Sequence, residues 1–406
     1  MNAQATDSLR DALARLRAAN VQLKAFAAVR DDDSALALAG TLRGPLAGQL
    51  VAVKDIFDTT DFPTAYGSAI YSGHQPSTEA AMVGIIRHAG GLVVGKATTT
   101  EFAFLQPSPT LNPAAPGCTP GGSSSGSAAA VAAGLVPLAI GSQTGGSIVR
   151  PASYCGVVGF KPSFGLLPTA GMKCFSWSLD TVGLFARSVD EVAAFAQAVS
   201  GGRVMAPTPR PAEGWTFGLP RAYPWGEPSA SGAMAMARAR EALQAVGARV
   251  VEVDLPDWAG ESYLAHDAVQ GWEAARALTR EVETSLPRLS DILRDYLQEA
   301  GKVSDEAYAS AQAVARRARA GCRDWLPGVD VLLTPSAPDE APEGFATTGA
   351  STWNRAWTLL GAPTLNVPGA TGVNGRPMGL QVIAPPGSDS RCLAAGALLE
   401  RGLLAP

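Results

Sequence analysis

The chain has 406 residues, 47% of them hydrophobic and 17% charged, with a net charge of −4 at neutral pH; it holds ample material for a large core. Its densest basic stretches, RVMAPTPRP and ARRARAGCR, are short, so no phosphate-tracking surface is expected and nucleic-acid binding is unsupported. No apolar run reaches the roughly 18 residues of a membrane span, and five cysteines without a CxxC pair point to free thiols in a cytoplasmic protein rather than to a disulfide framework or a zinc site.

In chain order, Leu9, Leu13 and Leu16 recur at helical spacing over 7–19, with Asp7 as the expected cap. This opening reads as a polar helix rather than a signal peptide. GPLAGQLVAVKDIFDTT (44–60) reads as two short strands, with Lys54 at the end of an apolar run. A helix is predicted over 77–89, capped by Ser77, and GGLVVGKATT after it reads as a buried strand. Helix followed by strand is the grammar of α/β folds. Residues 107–171 are rich in Gly, Ser and Pro, yet they carry apolar runs such as AAAVAAGLVPLAI that a linker would not need. They read instead as backbone held in special conformations near a ligand.

SVDEVAAFAQAVS (188–200) is an amphipathic helix with Ser188 as its cap. After a Pro-rich stretch beyond Gly201, TFGLP is a short strand, and helices are predicted over 229–246, 267–284, 287–300 and 304–325. VDVLLTPSAP and GLQVIAP read as strands, and a last helix covers 389–403. No internal repeat is present. One domain spanning 1–406 is expected, with a helix-rich insertion over about 215–325.

The hydrolytic options are few. None of the three histidines, His74, His88 and His266, stands in a motif with a nucleophile, and HExxH is absent, which disfavours a zinc hydrolase. GGSSSG matches GxSxG through Gly122, Ser124 and Gly126, but only His266 lies downstream to serve such an elbow. GGLVVGKA (90–97) falls short of a phosphate loop because Ala97 replaces the required hydroxyl. Cys155 and Cys174 lack a histidine partner.

VAVKD at 51–55 and GGSSSGSAAAVAAGLVPLAIGSQTGGSIVRPASYCGVVGFKPSFG at 121–165 together closely resemble the amidase signature family. SLDTVGLFARSVDE (178–191), VDVLLTPSAP (329–338) and GAPTLNVPG with RPMGLQVIAP (361–385) extend the resemblance over most of the chain. It implies an α/β fold, a single domain with a large mixed central β-sheet surrounded by helices, and no metal or organic cofactor. It also implies a nucleophile at Ser147, a proton-relaying Ser123 reached through a cis Gly122–Ser123 peptide, and a base at Lys54. Backbone amides of Thr144, Gly145, Gly146 and Ser147 would form the oxyanion hole. The roles are chemically coherent: a serine needs a base to take its proton, and a buried lysine is a base when it is neutral.

Within the family, GSQTGGSIVR looks like the malonamidase type. Most members carry an Asp before the TGGS run and an Arg two residues past the nucleophile; here Gln143 and Val149 stand there, and Arg150 follows. Arg150 is expected to bind a substrate carboxylate, with Gln143 beside it, because a guanidinium fork suits a carboxylate. Tyr66, Trp177 and Trp353 are expected pocket aromatics. The expected reaction is hydrolysis of a small malonamate-like amide through an acyl-enzyme, releasing ammonia or amine. The alternative is a subunit of a tRNA-dependent amidotransferase complex, against which acidic charge and short length weigh mildly. A small-molecule amide is the expected partner, without nucleic acid or membrane; a homodimer is compatible with the sequence.

Overall fold

The computed structural model describes residues 3–205 and 210–405; residues 206–209, within the Pro-rich stretch, lie outside the described residues. Eleven strands form one sheet: β1 Phe26–Val29, β2 Leu50–Lys54, β3 Leu92–Ala97, β4 Leu138–Gln143, β5 Val158–Lys161, β6 Thr181–Ala186, β7 Thr216–Pro220, β8 Arg249–Val253, β9 Val331–Pro335, β10 Thr364–Val367 and β11 Leu380–Ile383. Their order is β1-β3-β2-β4-β6-β5-β10-β11-β9-β7-β8. The sheet is mixed. β2 runs parallel to both β3 and β4, and β7 parallel to β8 and β9, while the strands between pair antiparallel. Thirteen α-helices surround it among the described residues. The expected single-domain α/β architecture is therefore present.

The central strands β2 to β6 are apolar and covered on both faces, as buried strands of an α/β sheet must be. One cover is the helix Ser125–Ala132, whose small side chains let it settle onto the sheet. A Cβ on Gly126 would stand 2.4 Å from the Thr98 nitrogen, and one on Gly141 would stand 2.5 Å from Ser124 Oγ. The Gly/Ser composition of this block thus serves close backbone approach, not flexibility.

Several expected boundaries differ. GPLAGQLVAVKDIFDTT yields the single strand β2. The first helix begins at Ala3, so Asp7 lies inside it, and the next expected helix begins at Ala81, with Ala80 rather than Ser77 at the cap. Ser188 does cap its helix, in a reciprocal box with Glu191. The region 215–325 is not purely helical, since it contributes β7 and β8 to one edge of the sheet. The helix predicted from 267 begins ten residues earlier, as Asp257–Ala277. Gly260 and Ser262, poor helix formers, disguised its first turns. Its packed face includes Ala265, His266, Val269 and Glu273, all buried.

Candidate active site

β2 and β4 are parallel neighbours, so their carboxyl ends open on the same edge of the sheet. That edge is where α/β folds place ligands, because loops leaving adjacent strands converge there. Lys54 is the last residue of β2, and the Thr144–Ser147 turn leaves β4 directly after Gln143. Lys54 is fully buried; its Nζ stands 2.7 Å from Ser123 Oγ and 2.9 Å from Ser142 Oγ. Burial pushes the Lys54 pKa well below the ordinary lysine value; the nearby Asp180 carboxylate opposes this and the Arg150 cation reinforces it. No carboxylate forms an ion pair with Lys54 among the described residues. The Gly122–Ser123 peptide is cis, as the resemblance implied.

Ser147, 6% exposed, lines a cavity of about 280 Å³ together with Thr144, Gly145, Gly146 and Arg150. The backbone amides of residues 144 to 147 donate to no backbone or side-chain acceptor among the described residues. Four adjacent donors without acceptors form a concavity suited to an anion. The turn is pinned from outside: Thr144 Oγ1 donates to Asp180 Oδ1 at 2.6 Å, and Asp180 Oδ2 accepts from the amides of Phe175 and Ser176. Thr358 Oγ1 donates to the Gly145 carbonyl at 2.9 Å.

Gln143 is not a substrate group. Its Oε1 accepts the amides of Ile148 and Val149 at 2.8 and 3.1 Å, and its Nε2 donates to Thr358. It closes the turn from beneath and does not reach the cavity wall. Arg150 does line the cavity, but its Nη1 donates to the Gly349 carbonyl and its Nη2 to the Gly122 carbonyl, at 2.8 and 2.5 Å. It has no acidic partner among the described residues. Burial lowers its pKa to about 10, so it remains a cation at neutral pH.

The expected aromatics lie elsewhere. Tyr66 donates to Asp58, Trp353 packs edge-on against Tyr223, and Trp177 packs against Trp272. Phe104, Phe175 and Tyr296 line the cavity instead, in a stack with ring centroids 4.2 to 6.1 Å apart. Asp55 does not orient Lys54; it pairs with Lys96 and accepts the Ala65 amide. Burial pushes the Cys155 thiol up, and burial with Asp180 nearby pushes Cys174 up to about 12, so neither favours a thiolate. Sequence reasoning did not assign Ser142, Asp180, His266, Asp267 or Arg355. Asp267 and Arg355 form an ion pair in the cavity wall, with Arg355 Nη1 2.8 Å from each carboxylate oxygen. Ser142 and Asp180 lie inside the motifs that carry the resemblance, whereas nothing local marks the other three.

A buried amine beside serine hydroxyls, next to an amide-lined turn at the carboxyl ends of parallel strands, belongs to an amidohydrolase. The family profile described as Amidase matches residues 7–393, and the chain belongs to the amidase signature family. It is similar to the GatA-type chain of the glutamyl-tRNA(Gln) amidotransferase of Anaeromyxobacter sp. (strain K), 34% identical over 96% of this chain and 91% of that protein. Among solved structures it is similar to an amidase, with a TM-score of 0.86 and 32% identity over 98% of this chain and 95% of that one. It is also similar to the peptide amidase of Stenotrophomonas maltophilia, with a TM-score of 0.80 and 28% identity over 98% and 93% of the two chains. These relatives do not carry the expected malonamidase-type likeness.

Proposed function

We propose that the chain hydrolyses a carboxylic acid amide with Ser147 as nucleophile, Ser123 as relay and Lys54 as base. The observation that carries this reading is the buried Lys54 amine, 2.7 Å from Ser123 Oγ and without a carboxylate partner among the described residues. Ser147 Oγ attacks the amide carbon while its proton passes through Ser123 to Lys54. The carbonyl oxygen becomes an oxyanion facing the amides of residues 144 to 147. When the C–N bond breaks, the proton returns through Ser123 to the leaving nitrogen, and ammonia or an amine departs. Water, deprotonated by the same route, then attacks the acyl-Ser147 ester and frees the acid.

Regarding its setting, the curated relatives favour one chain of an amidotransferase complex that passes ammonia to a tRNA-linked acceptor. Identity of 34% across 96% of the chain supports this reading. The second reading is a free-standing cytoplasmic amidase for a small acidic amide such as malonamate. Its support is the charge of the cavity wall, where Arg150 and Arg355 outnumber Asp267. Arg355 is the better-placed carboxylate fork, since its Nη2 donates to nothing among the described residues, whereas both Arg150 terminal nitrogens hold carbonyls.

Ammonia release from glutamine, malonamate and a neutral aliphatic amide, by wild type and Ser147→Ala, tests the chemistry and separates the settings. Malonamate turnover by the isolated chain supports the free-standing amidase. Glutamine turnover that emerges only with a co-purified partner supports the amidotransferase setting. Undiminished turnover by Ser147→Ala overturns the mechanism.

A further inference from the structure

The expected mechanism uses no histidine, yet His266 reaches the catalytic turn from a helix about 120 residues away in sequence. It sits in Asp257–Ala277 with no exposed surface, and its Nε2 lies 2.9 Å from the Thr144 carbonyl oxygen. A carbonyl oxygen only accepts, so Nε2 carries a hydrogen and donates. The peptide unit is planar and trans, so fixing the Thr144 oxygen also fixes the Gly145 N–H on the opposite side of the bond.

The surroundings leave little freedom. A Cβ on Gly145 would stand 3.8 Å from His266 Cε1 and 3.2 Å from Ser351 Oγ, so imidazole and glycine are closely packed. The three carbonyls of the turn are each held by a different element: Thr144 by His266, Gly145 by Thr358, and Gly146 by the amide of Arg150. The amides of the same residues have no acceptor among the described residues. Glycines provide no steric reason for the backbone to hold one orientation, so these external hydrogen bonds must supply it. The other ring nitrogen, Nδ1, is buried without a hydrogen-bond partner, 3.7 Å from Asp267 Oδ1. Asp267 is in turn gripped by Arg355 in the cavity wall.

We infer that His266 is a positioning residue for amide hydrolysis: its hydrogen bond to the Thr144 carbonyl orients the Gly145 amide toward the oxyanion. The inference rests on the proposed role of Ser147. It assigns His266 no proton transfer and no contact with the substrate. An amide that is misaimed stabilises the developing charge poorly but still admits the ground-state substrate, so kcat carries the effect and KM does not.

The test compares wild type with His266→Phe, His266→Asn and His266→Gln on whichever amide of the panel the wild type turns over, with Ser147→Ala alongside. Phe fills the space without a donor, and the Asn amide stops short of Thr144. The Gln amide reaches the position of Nε2. The Phe and Asn variants are expected to lose kcat by about 10- to 100-fold, below the full loss of an oxyanion donor, with KM nearly unchanged. Gln is expected to restore most of the rate. If Phe misfolds, as judged by circular dichroism, the Asn–Gln pair decides. A kcat within threefold of wild type in the folded donor-less variant overturns the inference, as does a Gln variant no better than that variant. If those results coincide with a dead Ser147→Ala, only the positioning role falls; an active Ser147→Ala removes the hydrolytic reading and this role with it.

Discussion

Lys96 Nζ lies 3.1 Å from Asp55 Oδ1, so the acid next to Lys54 in the chain is neutralised by a different lysine. Successive side chains of a strand point to opposite faces, which separates Lys54 and Asp55 although they are adjacent. Lys96 further donates to the Phe57 carbonyl and to Thr64. The pairing matters for chemistry because a carboxylate against Lys54 would hold it as an ammonium, unable to accept a proton.

The buried pair sets a stability prediction. Lys96→Met strands Asp55 among apolar neighbours, and removing one partner of a buried pair costs about 3–5 kcal/mol. Urea unfolding is expected to show a lowered midpoint, while the protein that remains folded keeps its turnover because Lys54 is untouched. An unchanged midpoint would mean that the pair contributes nothing.

Lys54 sets the acid limb of the pH profile. Its neutral form is the base, and burial places its pKa well below the ordinary lysine value. As pH falls through that lowered pKa the amine gains a proton, so kcat/KM is expected to fall on the acid side and to level off above it. Lys54→Met should remove this limb and reduce the rate by about 10²- to 10⁴-fold, the usual contribution of a general base. A limb surviving in that variant assigns it to another group.

The two arginines of the cavity should respond differently. Arg150 holds the Gly122 carbonyl immediately before Ser123. Arg150→Lys loses the planar fork and is expected to depress turnover of acidic and neutral amides alike. Arg355→Gln is expected to raise KM for the carboxylate-bearing amide about tenfold and leave the neutral amide unchanged, the loss of roughly one charged contact. Equal ratios in both variants would remove the carboxylate from the substrate description.

Gly146 has no room for a side chain: a Cβ would stand 2.4 Å from Asn354 Oδ1 and 3.0 Å from Ser351 Cβ. Gly146→Ala is expected to cost about 1–3 kcal/mol in overpacking. It should cost more in kcat than in stability, because relief of the clash displaces the turn that carries Ser147. Thermal unfolding beside single-turnover kinetics separates the two effects.

What the sequence made legible was what lies close together in the chain. The glycines and serines of 121–147 could be read because one contiguous block supplies both a close-packed helix and a turn. Lys54 could be read from the end of its apolar run. Gln143 could be noticed but not interpreted, since only the fold shows its carbonyl oxygen receiving two amides of the following helix. His266 stayed hidden for two reasons. The helix carrying it begins at Asp257, behind weak helix formers, and a histidine's partner across 122 residues leaves no local trace. Arg355 and Asp267 escaped for the second reason, since an ion pair spanning 88 residues has no periodicity to betray it.

The serines, the lysine and their carboxylate brace Asp180 all come from residues 54–180, whereas much of the cavity wall, including Asp267, Gln270, Tyr296 and Arg355, comes from farther along the chain. Chemistry and selectivity are thus written in separate stretches of the polypeptide. Mutation can redraw the far wall, admitting a longer, bulkier or uncharged amide, while the proton-handling parts are inherited intact. Position 266 is the seam between the two stretches, where a change that suits a new substrate also disturbs the turn.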